Sequence, residues 1–225
     1  MLSIRFLDWR KNRQRKHYNR LHEMRVFELI FSTKLAELGV QLGQFESINV
    51  YCFADSNKEL AYDESHAAGE IKILVAYDFM NFLELDSNQA KFEAFSDLVK
   101  TYIEPALVEY SKFSAPEISS YVEEALHEIV KRNYEIVFLV DKTPRKSPNR
   151  KKMAILRGIH RSEGFQLRCE IYNDKGLKII DRLLVEEVGN EIVYARFLGN
   201  LKWVDDDLIV VSSRTSSWKE EIVVR

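Results

Sequence analysis

The sharpest chemical pattern in the chain is Asp63 followed by Glu70-Ile71-Lys72, two carboxylates and an amine within ten residues. Glu-x-Lys is a short pattern that any exposed strand face can produce by chance, so its weight depends on the elements that carry it. Two basic segments form the second candidate. Residues 10–20 supply Arg13, Arg15 and Lys16, and residues 142–161 supply Arg145, Lys146, Arg150, Lys151, Arg157, His160 and Arg161. Cations at this density can grip phosphates or an acidic protein surface, and on nucleic acid they act by releasing counterions. For residues 10–20 a solvated, Arg-rich first helical turn is the commoner meaning. Residues 142–152 carry +6 in 11 positions.

Other chemistries find no foothold. His17 and His22 lie five apart, on different helix faces, whereas a zinc pair wants a spacing of four. His66, His127 and His160 stand singly, and His160 has Arg157 and Arg161 for company. The 8 glycines are scattered, so no phosphate-cradling loop exists. The serines at 212–213 and 216–217 fall in a polar stretch where turn formation explains them.

The elements that must position these residues can be read from periodicity. Met24, Phe27, Phe31, Leu35 and Leu38 recur at three and four, a core-facing helix that ends at Gly39. Residues 3–9 are a short strand or an arm. Residues 45–54 read as a strand, Asp55-Ser56-Asn57 as a turn and 59–62 as a short partner. Residues 69–85 then alternate from Glu70, with Ile71, Ile73, Val75, Tyr77, Phe79, Leu83 and Leu85 on one side, predicting a long half-buried strand. Leu74, Ala76, Met80 and Phe82 share its polar side, which predicts a partial cover there.

Asp86 with Gln89 forms a capping signal for a helix carrying Phe92, Phe95, Val99, Tyr102 and Ile103, and Pro105 predicts a kink or break near 101–104. Ser114 and Glu117, with Pro116 in the first turn, start a further helix. After Asn133 the character changes. Residues 134–140 are an apolar run, 141–152 with Pro144 and Pro148 a mobile loop, and 153–160, 165–172, 177–187, 191–198, 208–211 and 221–224 successive strands. The fold class is α+β. An N-terminal helix–three-strand–two-helix unit (residues 1–133) packs on a C-terminal antiparallel β meander (residues 134–225), with no flexible linker between them.

Composition is that of an ordinary globular chain: 225 residues, 46% hydrophobic, net charge −2. That total hides segregation, because residues 1–25 carry +6, 26–141 carry −13, 142–168 carry +8 and 169–225 carry −3. Two cysteines, Cys52 and Cys169, are too few for a disulfide framework and predict buried free thiols in a reducing, cytoplasmic setting. No run is long enough to span a bilayer, and charges at positions 5 and 8 leave no room for a signal-peptide core.

Over residues 18–110, a helix and three strands with Asp63 near the second strand and Glu70-Ile71-Lys72 on the third resembles the PD-(D/E)xK nuclease core. That resemblance implies that Asp63 and Glu70 hold Mg²⁺ and that Lys72 assists the attacking water. The chain departs from the family pattern in having no proline before Asp63. The first functional expectation is different. It is a non-enzymatic cytoplasmic protein-binding module without a cofactor, an immunity-type inhibitor that presents the acidic block 26–141 to a basic toxin or nuclease. The likeness to immunity proteins lies in size and charge, not in a motif. The alternative is a nucleic-acid-binding protein or Mg²⁺-dependent nuclease using Asp63, Glu70, Lys72 and the basic segments, with no membrane partner in either case.

Overall fold

The computed structural model describes residues 2–9, 13–54, 61–65 and 69–224, with the main chain alone for 61–65. The expected turn at 55–57, His66 and the start of the 59–62 strand lie outside the described residues. The chain divides into two compact units, residues 1–134 and 135–225, and its class is α+β.

The first unit runs β1 (Ser3–Asp8), two 3-10 turns (Arg15–His17 and Asn19–His22), α1 (Arg25–Glu37), β2 (Ser47–Phe53), β3 (Ala61–Ser65), β4 (Glu70–Ala76), α2 (Phe79–Leu83), α3 (Asn88–Leu98), a π turn (Val99–Ile103), α4 (Glu104–Tyr110) and α5 (Ala115–Lys131). Its sheet has the order β1-β2-β4-β3, with β1, β2 and β4 parallel and β3 antiparallel to β4. Alternation fixes the faces. Ile4, Phe6, Ile48, Val50, Cys52, Ile71, Ile73 and Val75 are buried on one side, where Phe6 meets Phe95 and Phe27 meets both Phe82 and Phe95. Helices α1, α2 and α3 thus cover that face.

The strand expected over 69–85 is shorter, and the reason is a cap. β4 ends at Ala76, and Asp78 accepts the amide of Met80 with its own carboxylate, which starts α2. Phe79, Phe82 and Leu83 bury one side of that helical turn instead of a strand face. The next helix is capped by Ser87 instead of Asp86, its hydroxyl accepting the amide of Ala90 at 3.1 Å. The irregularity expected at Pro105 takes the form of the π turn, which loosens the helix where the proline supplies no amide. The Ser114–Glu117 capping box is present as read.

The second unit runs β5 (Ile136–Leu139), β6 (Arg145–Lys146), β7 (Lys152–Arg161), β8 (Gly164–Asn173), β9 (Lys178–Glu187), α6 (Glu191–Tyr194) with a 3-10 turn (Ala195–Phe197), β10 (Asn200–Trp203), β11 (Leu208–Ser212) and β12 (Lys219–Val223). The strands form two antiparallel sheets, β5-β7-β8-β9 with β6 also on β7, and β10-β11-β12. Leu156, Leu167, Cys169 and Ile171 from the first share one buried cluster with Leu201, Ile209, Val211 and Ile222 from the second.

Two sequence expectations change here. Of the strand expected over 191–198, residues 191–197 are helical, because the Asn190 side chain accepts the amide of Ile192 and caps α6; the strand falls on Asn200–Trp203. Residues 141–152 are not a free loop. β6 pairs with β7, Thr143 and Ser147 are buried, and the Asn149 amide donates to Asp206 at 2.8 Å. The Lys152 ammonium reaches Asp207 at 2.7 Å and the carbonyl of Val224 at 3.1 Å. The segment is an ordered hairpin whose side chains, not its backbone, carry the exposed charge.

Candidate functional site

The face of the first sheet that is turned away from α1 to α3 carries the polar residues. In register across the strands lie Arg5, Asn49, Lys72 and the main chain of Asp63, and one step along lie Ser47, Glu70 and Ser65. Glu70 and Lys72 are half-buried on that face, with Leu74 beside them also half-buried. Burial, helped by the negative charge of Glu70, raises the Tyr51 phenol above its ordinary value. The register therefore assembles the three residues of the nuclease-like pattern on two adjacent strands. Among the described side chains no group of three His, Cys, Asp or Glu could hold a metal ion, and Asp63 lies outside that set. Glu70 is the described carboxylate in this place, so the fit to Mg²⁺ is partial.

At the carboxyl ends of the parallel strands sits a more completely built cluster. Arg13 embraces Asp8 with Nε at 2.5 Å and Nη2 at 3.0 Å, and Nη2 also donates to Asp78 at 2.8 Å. The Arg13 and Asp8 side chains are 5% and 3% exposed, and the two carboxylates push the guanidinium still further up. Beside it Trp9 meets Tyr51 and Phe53 edge-on, at 4.8 and 5.9 Å. Arg20 is held similarly, donating to Glu23 at 2.6 Å and to the carbonyl of Leu83, while Lys91 reaches the same Glu23 at 2.7 Å. Arg13 and Arg20 thus tie the segment after β1 to α2 and α3. Of the candidate contacts in this segment, Arg15 and Lys16 are exposed.

The basic residues of the second unit divide in the same way. His160 is fully buried next to the ring of Tyr194, and a Cβ added at Gly189 would come within 2.8 Å of its Nε2; it is a core residue at a close backbone approach, not a surface contact. Arg157 pairs with the buried Glu170 at 3.0 Å and Arg161 with Glu135 at 2.6 Å. Arg145 donates to Asp141 at 2.8 Å. Lys146, Arg150 and Lys151 are exposed on the hairpin. Its tip faces acidic residues, since Asn149 and Lys152 are bound by Asp206 and Asp207. What the +8 block offers to solvent is therefore less than its charge suggests.

The acidic block behaves differently. Glu93 and Asp97 on α3, Glu109 on α4 and Glu117, Glu123 and Glu124 on α5 are all exposed. Lys100 on the π turn reaches Glu123 at 2.6 Å and Lys34 on α1 reaches Glu124 at 2.8 Å, so α5 lies beside the π turn and α1. The cysteines offer no alternative chemistry: burial pushes the Cys52 thiol up, and the Cys169 thiol up to about 12, which keeps both protonated. No family model, curated protein or solved structure matches this chain.

Sequence reading missed the acids that neutralise the basic segments, namely Asp8, Asp78, Asp141 and Glu170. Asp8 and Asp78 each stand at the carboxyl end of a strand, the one local signal they gave.

Proposed function

We propose that this protein is a non-catalytic binding protein that offers the acidic outer side of α3, α4 and α5 to a basic protein partner. The observation behind the reading is the set of exposed acids on these helices: Glu93, Asp97, Glu109, Glu117, Glu123 and Glu124 all face solvent, although Lys100 and Lys34 pair with the last two. An acidic surface of this kind steers a basic partner to rapid encounter and disfavours nucleic acid. An immunity-type inhibitor acting on a basic toxin or nuclease in the cytoplasm is the specific form proposed, and the two buried free cysteines suit such a reducing setting. No helix among the described residues is long and apolar enough to cross a membrane. Carbodiimide coupling in native extract tests the reading, because it joins carboxylates to amines in direct contact. Cross-links from Glu93, Asp97, Glu123 or Glu124 to lysines of a second protein are expected. Intermolecular cross-links confined to carboxylates elsewhere on the chain would overturn the assignment.

A second reading is favoured by the register that sets Asp63 opposite Lys72, with Glu70 two residues along β4. It is a Mg²⁺-dependent nuclease in which Asp63 and Glu70 would hold the ion, the ion would supply Lewis-acid activation when bound, and Lys72 would assist the attacking water.

A further inference from the structure

Asp141 is the centre of a second cluster, at the end of the second unit where the base of the hairpin meets the start of β10 and the loop after β11. Its carboxylate is 3% exposed and accepts from two arginines at once: Arg145 Nη2 at 2.8 Å on one oxygen and Arg214 Nη2 at 3.0 Å on the other. Burial alone would push this carboxyl up, but the amides of Lys142 and Leu201 and the Arg145 guanidinium hold it below the usual range. Arg214 is fixed a second time, its Nε donating to Asn200 Oδ1 at 3.1 Å. That uses the side-on edge of the Arg214 guanidinium. Among the described residues no hydrogen bond uses its end-on edge, on a side chain that is 56% exposed, and the Arg145 side chain that shares Asp141 with it is 40% exposed.

The charges do not balance here. One carboxylate faces two guanidiniums, and exposed Lys142 and Lys146 flank Arg145 along the chain. The acidic turn at Asp206 and Asp207 compensates the far end of the hairpin, not this end. A buried carboxylate that orients two arginines fixes their donors in place, and any N–H groups they still turn outward can serve an anionic ligand. Planar guanidiniums match the oxygens of a phosphate in pairs.

We propose that Arg145 and Arg214, positioned by Asp141, form a binding site for a phosphate group. The site is independent of the acidic-face reading and uses none of its residues. It takes either a terminal phosphate monoester or a phosphodiester, the oxyanion chemistry being common to both.

Trp203 provides a local reporter, since its indole N–H donates to the carbonyl of Arg145 at 3.0 Å, while Trp9 lies in the other unit. The experiment is a titration of ¹⁵N-labelled full-length protein with inorganic phosphate at constant ionic strength, reading the indole signals. The expected result is a saturable shift at Trp203 with a dissociation constant on the order of 1 mM, and none at Trp9. Arg145→Gln and Arg214→Gln should each weaken binding by about fivefold or more, and Lys219→Gln, an equal loss of charge at an exposed position, should not. Retained dispersion of all three indole signals shows that each variant is folded. A second arm compares a dinucleotide with and without a 5′-phosphate: tighter binding of the phosphorylated form assigns a terminal monoester, and equal binding assigns a phosphodiester. A shift that grows without saturating, or that is the same in Arg214→Gln as in the parent, would overturn the proposal.

Discussion

The Glu28 carboxylate on α1 accepts the main-chain amide of Phe6 on β1 at 2.7 Å, and Ser32, one turn further along α1, accepts the amide of Ile4 at 3.2 Å. Among the described residues β1 pairs with β2 on one side alone, so these amides point off the sheet, and the helix satisfies them. Glu28 is buried with Arg25 at 2.9 Å as its counter-ion. Glu28→Ala leaves a buried amide without an acceptor and should cost about 2 kcal/mol in a urea melt.

The same residue gives a pH dependence with a definite sign. Burial raises the Glu28 carboxyl above its ordinary value of 4.5, outweighing the opposing pull of Arg25. Between 4.5 and the raised folded value the folded chain binds more proton than the unfolded chain, so this contribution to stability is full below about 4.5 and declines as the pH rises towards the folded value. Glu28→Gln keeps an acceptor and removes the titration. Stability of the parent relative to Glu28→Gln should fall from pH 4 to pH 7, and a constant difference would contradict the assignment.

The Asp8–Arg13–Asp78 cluster separates a structural role from a binding one. Arg13→Ala removes the guanidinium from a buried carboxylate and should lower stability by about 3 kcal/mol, whereas Arg15→Ala and Lys16→Ala, at exposed positions, should change it by less than about 0.5 kcal/mol. Thermal and urea melts of the three variants decide this.

Much of the fold is legible locally. The 3.6-residue stripe from Met24 to Leu38, Gly39 after it and the Ser114–Glu117 box all depend on neighbours a turn apart, and the helices stand where those signals lie. The β4 alternation is equally real up to Ala76. Past it, apolar spacing alone could not distinguish a strand from the short helix that Asp78 caps. The candidate site is less legible, because the pairing of its charged residues depends on contacts such as Arg13 with Asp78 and Arg214 with Asp141. These residues are brought together by strand order and a hairpin, and no local pattern encodes them.

Leu74 and Val75, towards the carboxyl end of β4, differ in burial, and a substitution can measure it. Val75 is buried against the helices and Val75→Ala should cost about 1–3 kcal/mol, with Leu74→Ala on the half-buried face costing less, about 1 kcal/mol. Equal losses would mean that the second face is covered as fully as the first.

Cleavage assays separate the two functional readings at β4. The purified protein is expected to leave DNA and RNA intact in Mg²⁺ or Mn²⁺. Metal-dependent cleavage that disappears in both Glu70→Ala and Lys72→Ala would establish the nuclease reading, and cleavage that survives both would trace to a contaminant.

The most direct measurement of the central claim is capture from native extract, with and without nuclease treatment, by three forms of the full chain. These are the parent, a form with Glu93, Asp97, Glu123 and Glu124 changed to Lys, and a form with Lys142, Lys146, Arg150 and Lys151 changed to Gln. The acidic-face account predicts a basic protein that is retained after nuclease treatment, lost with the lysine-substituted helices and kept by the neutralised hairpin. Recovery of nucleic acid, or of a protein that only the hairpin changes release, would contradict it.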